Sequence, residues 1–138
     1  MAVRVRVRIS RGNKSKVLVV LVNGGAESEE PVIALRPEEA EELDLSIDNF
    51  DLIEVELASG KTHSLVSKDK ILIELLDDQG NTLSSTYAYV IVDENLTEPL
   101  ITDATIDELG IIILSFKKGL WRHAKDPLDA VRSSIPRT

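Results

Sequence analysis

The sequence predicts a mainly β fold, a barrel or sandwich of short strands, and three observations carry that prediction. Val3 to Ile9 alternates valine or isoleucine with arginine at period two, as a strand with one apolar face does. Further apolar runs of strand length recur along the chain, separated by Gly, Pro, Asn or Asp turn signals about every 8–12 residues. Aromatic residues make up only 4% of a chain that is 43% hydrophobic. Core volume therefore falls to Val, Ile and Leu, of which Val and Ile are β-branched and favour strands. A chain of 138 residues is one domain's worth and can bury a sizeable core. We expect a single domain over residues 1–123, about eight strands and two short helices.

Taken in order, Val3 to Ile9 is the first strand and Arg11-Gly12-Asn13-Lys14 a turn. Lys16 to Val22 returns as a second strand, and its unbroken apolar run predicts burial on both faces. That run ends in Asn23-Gly24-Gly25-Ala26, with the short apolar segment Pro31 to Leu35 behind it. A buried strand entering a glycine-rich turn holds the turn residue's side chain on a rigid element, pointed inward, as a functional group requires. By itself, Asn-Gly is equally the signal of a two-residue hairpin. Arg36 to Leu43 reads as a short helix, with Pro37 near its first position and glutamates in its first turns. Such glutamates are expected on a solvated face rather than around a cation.

Asp51 to Leu57 and Thr62 to Val66 form a hairpin around Ala58-Ser59-Gly60-Lys61, and Ile71 to Leu76 and Thr82 to Val92 form another. Asp103 to Leu109 is a helix of one or two turns, capped by Thr102 or Asp103 and stopped by Gly110. Ile111 to Phe116 and Leu120 to His123 are the last strands. The mixture of Pro, Ser and charge over residues 124–138 predicts a poorly ordered tail.

The net charge of -8 is unevenly spread. Met1 to Val22 holds six basic residues and no acidic one, Asn23 to Glu56 twelve acidic residues against Arg36, and Lys117 onward six basic against two acidic. Basic ends without interleaved aromatics argue against a nucleic-acid partner. The absence of cysteine excludes disulfides, thiolate metal sites and cysteine nucleophiles. No apolar run approaches membrane-spanning length and no signal-peptide pattern opens the chain, so a cytoplasmic protein with no membrane partner is expected.

The order of these parts resembles the retropepsin-like aspartic peptidases, the single-lobed family that works as a homodimer. In that family a hydrophobic strand ends in Asp-Thr/Ser-Gly-Ala, a flap hairpin follows, and a hydrophobic-hydrophobic-Gly motif leads into a short helix near the end. Leu21-Val22-Asn23-Gly24-Gly25-Ala26 stands at the first motif, Ala58, Ser59, Gly60 and Lys61 at the flap tip, and Leu100-Ile101-Thr102-Asp103 at the second. The resemblance spans Arg4 to Trp121. It implies a closed acid-protease barrel, a homodimer as the partner state, extended peptides as ligands and no cofactor. It also implies that Asn23, Gly24 and Gly25 occupy the catalytic positions, with Ala26, the flap tip and Thr102 lining the cleft.

The departures fall on the chemistry. The family's two carboxylates share one proton across the dimer axis, one acting as base on water while the other polarises the scissile carbonyl. Asn23 stands in place of that Asp, and an amide neither takes a proton from water near neutral pH nor shares one. Gly24 replaces the motif's hydroxyl residue and Thr102 the second motif's glycine. The resemblance therefore implies a homologue without peptidase activity that still binds peptide. The alternatives are an active endopeptidase, through deamidation of Asn23 before the unhindered Gly24 or through another carboxylate such as Asp103, and an assembly dimer without a ligand.

Other constellations are weaker. His63 and His123, the only histidines, have no Gly-x-Ser-x-Gly elbow to make a triad with Ser64, Ser84 or Ser85, and no ligands at metal spacing. No phosphate-binding glycine motif is present. Trp121 beside Lys118 and Arg122 is read as core, and the row Arg4, Arg6, Arg8 as an exposed strand face that discourages edge aggregation.

Overall fold

A computed structural model describes residues 2–57 and 60–137, with side chains described outside 54–63. The fold is mainly β. Strands β1 (Arg4–Arg11) and β2 (Lys14–Val22) form the predicted hairpin, in register from Arg4 opposite Leu21 to Arg11 opposite Lys14. Gly12, first of the two turn residues, has φ 59, which a type II′ turn needs there and only glycine adopts freely. Val5, Val7 and Ile9 of β1 are fully buried, as is Val20 of β2, so the period-two pattern becomes the core face of the sheet. The expectation that β2 is buried on both faces is corrected. Leu18, Val20 and Val22 are buried, whereas Val17 is half exposed and Val19 and Leu21 are only partly covered. An unbroken apolar run signals two-sided burial only when an element covers its outer face, and here one face of β2 stays partly open.

Strand β3 (Val32–Leu35) is followed by helix α1 (Pro37–Glu42), a 3₁₀ turn over Ile47–Asn49, and the hairpin β4 (Phe50–Leu57) and β5 (Gly60–Ser67). Strands β6 (Ile71–Leu76) and β7 (Thr82–Val92) pair antiparallel, and β6 also pairs with β1. The two-residue strand β8 (Leu100–Ile101) leads into helix α2 (Asp103–Glu108). Gly110, at φ 72, stops α2 in the left-handed conformation that ends many helices.

These eight strands form one sheet in the order β3-β8-β2-β1-β6-β7-β5-β4, and β3 also pairs with β7 in parallel from Val32 opposite Tyr89 to Leu35 opposite Val92. One core joins the sheet's inner face to Ala40 of α1 and Ile106 of α2.

Strands β9 (Ile111–Ser115), β10 (Leu120–His123) and β11 (Arg132–Ser133) form a second, three-stranded sheet. The described residues thus hold eleven strands rather than eight, the additions being two- and four-residue pieces that periodicity cannot resolve. The poorly ordered tail is also corrected. Residues beyond Ala124 fold back to form β11, the Arg4 N–H donates to Ser134 Oγ at 2.8 Å, and the Ile135 N–H donates to the Arg4 carbonyl at 3.0 Å. Asp126 and Arg132 pair through two hydrogen bonds of 2.7 and 2.9 Å. This pairing and the Asp126 bond from the His123 N–H pull its carboxyl down to about 2. Local composition carries no trace of such partners.

Candidate functional site

Asn23 follows the last residue of β2, and the turn after it runs over the surface, with Gly24 and Gly25 exposed and Asn23 half-buried. The inward side chain expected from the sequence is not what forms. Asn23 Oδ1 accepts the N–H of Gly25 at 3.1 Å, so the amide folds back on its own turn. The backbone is held at both ends. The Asn23 N–H donates to the Ile101 carbonyl at 3.2 Å, and the Asn23 carbonyl accepts the N–H of Ala26 at 3.1 Å. The hairpin reading of Asn-Gly is also corrected: β2 and β3 do not pair with each other, because β8 lies between them.

That insertion builds the site. β8 runs parallel to β2, with Leu21 opposite Leu100 and Val22 opposite Ile101, and antiparallel to β3, with Ile33 opposite Ile101. It carries Thr102 and Asp103 to the side of the Asn23 turn. The Asp103 N–H donates to the Ala26 carbonyl at 2.9 Å. Asp103 Oδ1 accepts the N–H of Ser28 at 2.9 Å and that of Ala104 at 2.7 Å, so one carboxylate oxygen ties the turn to the first residues of α2.

Behind the turn lies a set of hydroxyls. Ser28 Oγ and Thr102 Oγ1 are 2.6 Å apart, and Thr102 Oγ1 and Thr105 Oγ1 are 3.2 Å apart. Thr105, fully buried, accepts the Val32 N–H at 2.9 Å and donates to the Val32 carbonyl at 2.8 Å. Each hydroxyl of this set thus has a partner, as burial demands. Thr102, where the family pattern has glycine, is buried at φ -83 and ψ 171, an extended conformation any residue adopts. Its hydroxyl joins the set, 2.6 Å from Ser28 Oγ and 3.3 Å from the Val32 carbonyl. Sequence reasoning named Thr102 and Asp103 but missed Ser28 and Thr105. Their hydroxyls carry no spacing signal, because β8 alone brings residues about 75 positions apart together.

The other named residues divide. Gly24, Gly25 and Ala26 form the turn itself. Gly60 opens β5 opposite Leu57 and Lys61 lies opposite Glu56, while Ala58 and Ser59 lie outside the described residues. The expected solvated glutamate face holds for Glu38, Glu41 and Glu42, but Glu39 is buried, and its carboxylate binds the Arg36 N–H at 2.9 Å and the Arg36 guanidinium. The arginine row is half-buried rather than exposed. Arg4 pairs with Glu98 at 2.7 Å and Arg8 with Glu74 at 3.5 Å. Arg4, with Arg137 and Arg36 nearby, holds the Glu98 carboxyl below the usual carboxylate range.

His123 is buried in packing rather than catalysis. Its Nδ1 accepts the N–H of Lys125 at 3.2 Å, which leaves Nε2 to donate to the Leu109 carbonyl at 3.0 Å. Trp121 is buried with the Arg132 guanidinium 5.6 Å from its ring centre, which removes it as a ligand platform. A groove of about 550 Å³ lies outside β2, lined by Arg6, Lys16, Arg36, Glu42, Glu98 and Arg137 among others, and neither Asn23 nor Thr102 borders it. Among the described residues no three His, Asp or Glu side chains gather as metal ligands, and no helix is long and apolar enough to cross a membrane.

Chemically, the turn offers an amide, a Gly24 N–H that makes no hydrogen bond among the described residues, and one structural carboxylate. That set can hold an extended chain through hydrogen bonds but holds no paired carboxylates. Set against models of known protein families and against curated proteins, the chain matches none.

Proposed function

We propose that this chain is a retropepsin-like domain whose catalytic carboxylate is replaced by Asn23, and that a homodimer of it binds extended peptides without cutting them. The observation that carries the reading is the placement of β8 between β2 and β3, which sets the Asn23 turn against Thr102 and Asp103, the two motifs on which the resemblance rests. The closed-barrel form is supported by the pairing of β3 with both β8 and β7, which returns the series β8, β2, β1, β6, β7 to its starting strand. The hairpin β4–β5, attached to β7, is the segment that the resemblance reads as the flap.

The homodimer has a self-complementary edge available. β9 pairs only with β10 among the described residues, and its Leu114, with Phe116 just beyond, is about half exposed. Exposed Asp107 and Glu108 precede this apolar strand, exposed Lys117 and Lys118 follow it, and none of the four makes an ion pair among the described residues. Two copies paired antiparallel along β9 would bring the acidic end of each beside the basic end of the other.

The test is cleavage of a peptide library, read by mass spectrometry from acidic to neutral pH, with and without pepstatin, using protein verified to carry the amide at residue 23. Cleavage and peptide binding by the Asn23→Asp variant, with binding alone by the native protein, is the expected result. Pepstatin-sensitive cleavage by the verified native protein overturns the inactive reading. If neither protein cuts or binds peptide, the cleft reading fails altogether.

A further inference from the structure

We propose that Asn23–Gly24 is a self-modification site, at which the folded turn converts the Asn23 amide into a carboxylate. The chemistry stands on the turn's own geometry; only its functional consequence rests on the retropepsin-like reading. Asn23 is the one asparagine in the chain followed by glycine; Asn13, Asn49, Asn81 and Asn95 precede Lys14, Phe50, Thr82 and Leu96.

Three features of the turn favour the reaction. The Gly24 N–H makes no hydrogen bond among the described residues, so the nitrogen that must attack is not engaged. The electrophile is activated, because Asn23 Oδ1 accepts the Gly25 N–H at 3.1 Å. That bond draws density from Cγ and strengthens as the oxygen becomes an oxyanion. The site is also open: Gly24 and Gly25 are exposed and a Cβ placed on Gly24 meets nothing within 4 Å, so water and solvent base reach the turn.

The atoms balance with water as the only co-reactant. Gly24 N loses its proton to solvent base and bonds to Asn23 Cγ. The Cγ–Nδ2 bond then breaks, and ammonia leaves with a proton returned from solvent. The cyclic imide so formed is opened by water. Opening at Cγ gives aspartate on an unchanged backbone; opening at the main-chain carbonyl gives isoaspartate, with an extra carbon in the chain. The Asn23 N–H to Ile101 bond and the Ala26 N–H to Asn23 carbonyl bond flank that point. An extra main-chain carbon between them disrupts both, so this turn favours normal aspartate. The product has a carboxylate at the end of β2, where the family resemblance calls for one.

The experiment follows each asparagine by peptide mass spectrometry while the full-length protein is held at mildly alkaline pH, with chromatography separating aspartate from isoaspartate. The native protein, the same chain unfolded in urea, and Gly24→Ala are run together; alanine enters Gly24 without a clash, so this variant folds. We expect Asn23 to convert several-fold faster than each other asparagine and no slower folded than unfolded, to give mainly aspartate, and to slow several-fold in Gly24→Ala. An amide that survives in the folded protein and converts in the unfolded chain overturns the proposal. So does an unchanged rate in Gly24→Ala, or isoaspartate as the main folded product. Fully converted protein that neither cuts nor binds peptide counts against the retropepsin-like reading and leaves the conversion standing.

Discussion

Two places in this molecule tie distant segments together, and they do so with different chemistry. Around Asn23, the segment 23–32 is joined to 101–105 by backbone groups, one carboxylate oxygen and the hydroxyls of Ser28, Thr102 and Thr105, several of them buried. At the other place the C-terminal segment is held to β1 and β10 by the bonds of Arg4 with Ser134 and Ile135 and by the pairing of β11. It is braced by charge: Asp126 with Arg132 inside the segment, and Arg137 with Glu98, which also pairs with Arg4. Neutral buried hydrogen bonds contribute little net when formed but cost much when one partner is removed. Half-exposed ion pairs are worth about 1 kcal/mol or less and respond to salt and pH. The lesson is that the buried hydroxyl bonds behind the candidate site carry no charge to titrate, whereas the Asp126–Arg132 brace does.

The sharpest way to break that comparison is Thr105→Val, which keeps the shape and removes the hydroxyl. The Val32 N–H then has no acceptor, and we expect a loss of about 2 kcal/mol in urea unfolding, equal at neutral and acidic pH. A loss that shrinks with pH would show the tie to be electrostatic after all. Next in size is Thr102→Gly, which puts in the glycine that the proposed retropepsin-like reading expects there. Because the backbone there is extended, glycine gains nothing conformationally, and the bonds to Ser28 and Val32 are lost. About 1–2 kcal/mol of destabilisation is expected from the lost bonds and the added chain entropy. Unchanged stability would mean that the hydroxyl set is decorative.

Asp126→Asn tests the other tie. Arg132 holds the Asp126 carboxyl at about 2, below its ordinary 3.8. A carboxyl depressed in the folded state adds stability that is present above its unfolded value and drains away as pH falls through its folded value. The native protein should therefore lose this contribution between 3.8 and about 2, while the asparagine variant lacks it throughout. We expect the variant to be about 1 kcal/mol less stable at neutral pH and the gap between the two proteins to close across that window. A gap that persists at the acid end would assign the effect to packing.

Legibility in the sequence follows the same division. The hairpins β1–β2, β4–β5 and β6–β7 and both helices could be read because alternation, Gly12, Pro37 and Gly110 act within a few residues. Their partners are close in sequence. β8 and β11, two residues each, gave no periodicity to detect, and both owe their existence to distant partners: Ile101 to Val22 and Ile33, Arg132 to Trp121. The tail was misread for the same reason. Pro, Ser and charge report low local propensity, whereas the bond from Arg4 to Ser134 spans 130 positions. At the candidate site, glycine-rich Asn23–Ala26 stood out, but its inward orientation did not follow, because the Gly25 N–H captures the amide. Glu39 shows the converse, a charge that burial tolerates only because Arg36 faces it.

The smallest expected effect bears most directly on function. Among the described residues Asn23 makes one side-chain hydrogen bond, to an exposed N–H, so Asn23→Ala and Asn23→Asp should each change stability by less than about 0.5 kcal/mol. Aspartate keeps the acceptor that Gly25 uses, which makes Asn23→Asp the milder of the two. Residue 23 is thereby separable from the fold: its chemistry can change while Thr102, Thr105 and Ser28 go on holding the turn. Calorimetry of the two variants against the native protein checks this. Should Asn23→Ala instead cost as much as Thr105→Val, the amide would be part of the tie, and its exchange for a carboxylate, by mutation or by the turn's own chemistry, would disturb the scaffold that presents it.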